Sequence, residues 1–136
     1  MDLESGRESH AVYEFGDFRL DVGERLLMRG RHRVCLPPKS FELLVALVAR
    51  ANRLVTKREL LDQVWPEVFV EEGILTVYVA QLRKALDDQG RDSRYIETVW
   101  GSGYRFIAAV TMRRSIGAEG GRHPPTWLRD HEEAQL

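Results

Sequence analysis

The sequence predicts an α+β fold in which a four-stranded antiparallel sheet precedes three helices and a closing β-hairpin. Three patterns predict it: period-two alternation between glycines over residues 12–36, apolar side chains at three-and-four spacing within residues 39–88, and two β-rich runs flanking a glycine turn within residues 95–110. With 136 residues, 43% hydrophobic and 30% charged, the chain suits one compact domain with short tails. The expected division is a flexible segment at 1–11, a folded domain at 12–110 and a linker or disordered tail at 111–136. In that tail apolar periodicity gives way to Gly117, Gly120, Gly121, Pro124 and Pro125.

Strands of the first block are expected at 13–15, 18–20, 26–29 and 33–36. Gly16-Asp17 and Gly30-Arg31 fall where tight turns are required, since glycine enters positive φ without a Cβ penalty. Cys35 reads as a small apolar strand residue between Val34 and Leu36, and Pro37-Pro38 ends the sheet. Charge is segregated here: residues 1–24 sum to −5, and residues 25–39 sum to +5 through Arg25, Arg29, Arg31, Arg33 and Lys39. Pairing across adjacent strands is the expected use of that complement.

In residues 39–51, Phe41, Leu44, Val45, Leu47, Val48 and Ala51 mark a helix with one buried face. Thr56-Lys57-Arg58-Glu59 has the form of a capping box, in which the Thr hydroxyl accepts the N–H three residues on and the Glu carboxylate accepts the N–H of the cap. The short helix it starts carries Leu60, Leu61, Val64 and Trp65 inward and stops at Pro66. After a loop at 66–70, Glu71 and Glu72 suit the positive end of a helix dipole. Leu75, Val79, Leu82 and Leu86 then form the narrow stripe of a third helix at about 71–88. Residues 95–100 and 104–110, around Gly101-Ser102-Gly103, complete the hairpin.

Helix, short helix, loop, longer helix, hairpin is the element order of a winged helix-turn-helix, whose last helix enters a DNA major groove while the hairpin lies on the backbone or in the minor groove. Leu82-Arg83-Lys84-Ala85-Leu86, Ile96-Glu97-Thr98-Val99 and Gly101-Ser102-Gly103-Tyr104-Arg105-Phe106 resemble the C-terminal effector domain of OmpR/PhoB-type response regulators. Phe15-Gly16-Asp17-Phe18-Arg19-Leu20-Asp21 and Glu59-Leu60-Leu61 with Trp65 extend the resemblance over about residues 13–110. It implies a transcription regulator that binds double-stranded DNA at direct repeats, as a homodimer on DNA, without a cofactor. Two-component relatives place a phosphoacceptor receiver domain first. The roughly ten residues ahead of this module point instead to the one-component, ToxR/CadC-like order, with any phosphorylation input supplied by another chain or absent.

Placing the third helix's residues 100° apart with the stripe on the core turns Gly73, Thr76, Val77, Ala80, Gln81 and Lys84 outward. Thr76, Val77, Ala80 and Gln81 are the expected base contacts: Gln81 can pair bidentately with adenine, Thr76 can bond a base edge or phosphate, and Val77 and Ala80 can meet a thymine methyl. Lys57, Arg58, Arg83 and Lys84 are expected to neutralise phosphates. The resemblance adds Trp65, Tyr78 and Thr98 to the backbone contacts, although Trp65 reads equally well as core. It also places Trp100, Ser102 and Arg105 in the wing, where Trp100 either packs on the sugar-phosphate wall or stiffens the hairpin. Glu67, Val68 and Phe69 correspond to the loop that contacts RNA polymerase in such activators; Phe69 also fits a core position. Relatives often carry basic residues at the positions of Gly73, Ala80, Gln81 and Trp100. All four are uncharged here, and residues 71–90 sum to −2, so counterion release is expected to be small. That deficit supports the alternative of a winged helix that binds protein, with weak or no DNA binding, but Gln81, Thr76, Arg83 and Lys84 presented together on the groove side stand against it.

Other classes fit poorly. No run approaches the ~18 apolar residues of a membrane span, and the acidic N-terminus is unlike a signal peptide, so a cytoplasmic chain is expected. One cysteine excludes an internal disulfide and a Cys-based zinc cage. His10, His32, His123 and His131 lack metal-ligand spacing, and Gly101-x-Gly103 lacks the third glycine and following helix of a nucleotide loop, which sets enzyme chemistry aside.

Overall fold

The computed structural model describes residues 9–89 and 92–116. In chain order the elements are β1 (Ser9–Phe15), β2 (Phe18–Asp21), β3 (Leu26–Arg29), β4 (His32–Arg33), α1 (Pro38–Val48), β5 (Leu54–Thr56), α2 (Lys57–Val64), α3 (Gly73–Ala85), β6 (Ile96–Val99), β7 (Gly103–Phe106) and β8 (Thr111–Ile116). They fall into two compact units, one holding β1–β4 with β8 and the other running from Val34 to Val110.

The first unit is an antiparallel sheet of order β4-β3-β2-β1-β8. Two-residue turns at Gly16-Asp17 and Gly30-Arg31 set the registers Phe15↔Phe18 and Arg29↔His32. Phe15 stacks on Phe18 with ring centroids 5.6 Å apart, and Leu20 and Leu27 are buried with them. Several expectations change here. The tail expected from residue 111 begins with a fifth strand: β8 pairs with β1 from Ser9↔Ile116 to Glu14↔Thr111, so β1 also starts inside the segment expected to be flexible. That pairing covers an edge of β1 that would otherwise present unpaired N–H and C=O groups. Arg113 Nη2, donating to Glu14 Oε2 at 2.8 Å, adds a diagonal ion pair. Residues 1–8 and 117–136 lie outside the described residues.

β4 ends at Arg33 rather than at residue 36, because the turn starts the strand at His32 and the two prolines restrict the chain that follows. Cys35 is therefore an exposed coil residue and not a strand residue. Acids of β1 and β2 take partners outside the basic run 25–39 as well. Glu14 pairs with Arg19 at 3.0 Å directly across β1 and β2, and buried Asp21 pairs with His10 Nε2 at 2.9 Å. Arg29 lies over the Phe18 ring. Local register outranks net charge in choosing these partners.

The second unit contains the three helices and a sheet of order β5-β7-β6. Pro38 opens α1, where its missing N–H costs nothing. α1 is buried at Phe41, Leu43, Leu44, Ala46, Leu47 and Val48, which is most of its circumference rather than the one face expected. Leu43 and Ala46 close the ring that the three-and-four pattern left open. Leu60, Leu61 and Val64 of α2, and Leu75, Val79, Leu82 and Leu86 on and just after α3, are buried as the spacing predicts.

The capping box at α2 is fully formed: the Glu59 N–H donates to Thr56 Oγ1 at 3.1 Å, and the Thr56 N–H donates to Glu59 Oε1 at 2.9 Å. Thr56 also ends β5, a strand too short to stand out in the sequence. β5 makes the expected hairpin a three-stranded sheet by pairing with β7 at Val55↔Tyr104 and Thr56↔Gly103. Position 103 must be glycine, because a Cβ there would meet the backbone of Val55 and Thr56. The Lys57 N–H, first of α2, donates to Ser102 O in the turn between β6 and β7 at 3.1 Å.

α3 ends in a Schellman arrangement. Asp87 takes a φ of +60°, its N–H donates to Lys84 O, and the Asp88 N–H donates to Arg83 O at 2.7 Å. The buried Asp88 carboxylate then accepts the N–H groups of Arg94 at 2.6 Å, Tyr95 at 3.1 Å and Ile96 at 3.0 Å. The end of α3 is thereby tied to the first residues of β6.

Two predictions follow from these joints. Asp88→Ala leaves three backbone donors without their acceptor, two of them on buried residues, and is expected to cost roughly 3 kcal/mol in urea denaturation, with Asp88→Asn recovering part of the loss. The Thr56 N–H, donating to the Glu59 carboxylate, holds that group below its ordinary value of 4.5, with the Thr56 hydroxyl, Arg50 and Arg53 acting in the same direction. Stability from a depressed carboxylate is present above its unfolded value and lost as pH falls through the folded one. Glu59→Gln is therefore expected to lower the urea midpoint at pH 7 and to converge on the parent as pH falls below the folded value.

Candidate nucleic-acid interface

One stripe of α3 faces the core and the opposite side faces outward. Gly73, Thr76, Val77, Ala80, Gln81 and Lys84 are all exposed, as the helical spacing predicts. Val77 keeps 55% of its surface, an unusual amount for a valine in the middle of a helix. Glu71 and Glu72 lie in the turn before the helix, and their carbonyls accept the N–H groups of Ile74 and Leu75. Gln81 is not a free side chain: its Oε1 accepts a hydrogen bond from Ser40 Oγ of α1 at 3.1 Å. Spacing alone carried no sign of this contact, because Ser40 comes 41 residues earlier.

The wing lies beside the C-terminal half of α3. Trp100, at the tip between β6 and β7, is 88% exposed, so it is neither core nor a packed stiffener of the hairpin. Ser102 is exposed beside it. Ala80, Arg83, Glu97, Thr98 and Trp100 wall a hollow between helix and wing.

The basic side chains divide by partner. Arg83, expected to contact phosphate, is turned inward: Nη2 donates to Ile96 O at 2.9 Å and to Thr98 Oγ1 at 2.8 Å, and Nε donates to Ile96 O at 3.3 Å. It clamps α3 to β6, and Thr98 serves as its acceptor. Lys57 stands 3.7 Å from Glu72, Arg58 3.2 Å from Asp62 and Arg105 3.1 Å from Glu97. These acids lower the positive potential of this surface. Lys84 is exposed on the α3 face itself.

Trp65 and Tyr78 meet edge to face with centroids 5.3 Å apart, and both are half-buried. Trp65 is thus packed on one side and available on the other. In the loop between α2 and α3, Glu67 is exposed, Val68 keeps 63% of its surface and Phe69 keeps 88%, which removes Phe69 from the core. No helix among the described residues is long and apolar enough to cross a membrane.

Three helices, a wing that closes on them and a sheet of antiparallel strands define a winged helix-turn-helix of the α+β class. The family described as "Transcriptional regulatory protein, C terminal" matches residues 31–106, more than half of the chain, and the chain belongs to it. Transcriptional regulator HilA of Salmonella typhi is 42% identical over 104 residues, covering 76% of this chain and 18% of HilA. KdpE, the KDP operon transcriptional regulatory protein of Escherichia coli, is 36% identical over 97 residues, covering 71% of this chain and 43% of KdpE. The chain thus spans less than half of either relative's length.

Among solved structures, the OmpR/PhoB homolog DrrB of Thermotoga maritima aligns with a TM-score of 0.65 at 35% identity, over 71% of this chain and 44% of DrrB. The DNA-binding domain of E. coli CadC aligns at 0.68 and 27% identity, over 77% and 99%. The DNA-binding domain of Klebsiella pneumoniae RstA, solved in complex with the RstA box, aligns at 0.64 and 26%, over 71% and 96%.

The Arg83 clamp is testable without any ligand. Arg83→Ala removes the donor held by Ile96 O and Thr98 Oγ1, and thermal denaturation should show a loss of roughly 1–2 kcal/mol. Lys84→Ala, one residue on, should leave the melting temperature unchanged.

Proposed function

We infer that this chain is a sequence-specific DNA-binding transcription regulator, with α3 in the major groove and the β6–β7 wing on the backbone or in the minor groove. The observation that carries the reading is the exposed α3 face of Thr76, Val77, Ala80, Gln81 and Lys84, presented opposite a fully buried stripe and next to an exposed wing tip. Thr76, Val77, Ala80 and Gln81 contact bases. Lys57, Arg58, Trp65, Tyr78 and Lys84 contact the backbone, with Trp100, Ser102 and Arg105 placed by the wing. Membership of the family and the likeness to the RstA domain solved on its DNA box support this.

Because cations at this surface are paired with Glu72, Asp62 and Glu97, one domain gains little from counterion release. Two copies on a direct repeat would supply the missing affinity by avidity. The exposed Val68 and Phe69 with Glu67 form a separate small surface, suited to RNA polymerase. The same ion pairs favour the second reading, a winged helix that docks on a protein.

The test is selection from a randomised duplex pool followed by anisotropy on the winning sequence across a salt series. An enriched direct repeat, with binding that weakens as salt rises, is expected. Lys84→Ala should reduce the salt slope by about 0.9 while leaving base preference intact. No enrichment and no salt-sensitive binding by the folded chain would overturn this reading in favour of the protein-docking one.

A further inference from the structure

The outward face of α3 is small and apolar where base edges would meet it. Val77 is exposed together with Thr76 and Ala80, and it shares a shallow depression with Val70, Glu71, Gly73 and Ile74. Gln81 lies one turn beyond Val77 on the same face. Its carboxamide oxygen accepts a hydrogen bond from Ser40 Oγ, and Ser40 is fully buried on α1. That bond turns the oxygen toward α1 and leaves the amide N–H2, a pure donor, as the outward polar group.

We propose that this face reads thymine: the Gln81 N–H2 donates to O4, while Val77 and Ala80 cover the C5 methyl. The proposal rests on the DNA-binding reading above and names the base that the site takes. The major-groove inventory decides between bases. Adenine's N6/N7 edge needs a donor and an acceptor side by side, and the acceptor of Gln81 faces away. Cytosine presents its own N4 donor to the amide donors. Guanine offers acceptors but no apolar group for Val77 and Ala80. Thymine offers an acceptor beside a methyl. The bidentate adenine contact that the sequence suggests for Gln81 is thereby replaced.

The test uses the selected operator and the full chain. Each thymine is replaced in turn by deoxyuridine, which deletes the methyl and keeps O4. The expected result is a loss of about three- to five-fold in affinity at one thymine per half-site, the scale of one buried methyl. In Val77→Ala, with its fold checked by circular dichroism, the same replacement should change affinity much less. Tolerance of deoxyuridine at every thymine, or a loss that persists in full in Val77→Ala, would overturn the thymine assignment while DNA binding itself stands. A folded chain that binds no duplex overturns the DNA-binding reading, and this assignment with it.

Discussion

The Asp88 carboxylate holds three backbone N–H groups at the start of β6 while its own N–H closes the end of α3. Helix and wing are separate in sequence, and these bonds keep them at a fixed spacing. Arg83 repeats the tie five residues earlier by bonding Ile96 O and Thr98. Both ties are charge-assisted, and both satisfy buried or half-buried backbone groups, so breaking either exposes a desolvation cost with no alternative partner. Position 103 adds a steric condition, since only glycine lets β7 approach β5 this closely.

This arrangement moves charge out of the role that its position suggests. An arginine on the rim of the outward helix face would be an obvious phosphate ligand, but the structure uses Arg83 to set the wing. Lys57, Arg58 and Arg105 each carry an acidic neighbour. The surface offered to a duplex is thus weakly charged, with small apolar side chains at its centre and an exposed tryptophan at its edge. On the proposed reading, such a surface would draw little from sequence-independent attraction and more from shape and base-edge contacts.

The five-stranded unit follows different rules. Glu14 pairs with Arg19 across β1 and β2 and with Arg113 of β8, and the buried Asp21 is paired with His10 and also accepts the Glu24 N–H. β8 covers the outer edge of β1 and brings the chain after the wing back into the fold.

Elements written in short-range pattern were legible in the sequence. The α3 stripe at Leu75, Val79, Leu82 and Leu86, the Thr56/Glu59 capping box, the stop at Pro66 and the turns at Gly16 and Gly30 each depend on residues within a few positions of one another. Periodicity and local hydrogen bonding therefore suffice to specify them. The outward set on α3 was legible for the same reason. Tertiary structure alone decided what that set and its neighbours do. Ser40 orients Gln81 from 41 residues away, β5 joins the wing across the helix-turn-helix, β8 pairs with β1 from the other end of the described chain, and Arg83 finds the carbonyl of Ile96. These contacts depend on which distant atoms folding brings within about 3 Å, and that distance is set by the packed core rather than by any repeat along the chain.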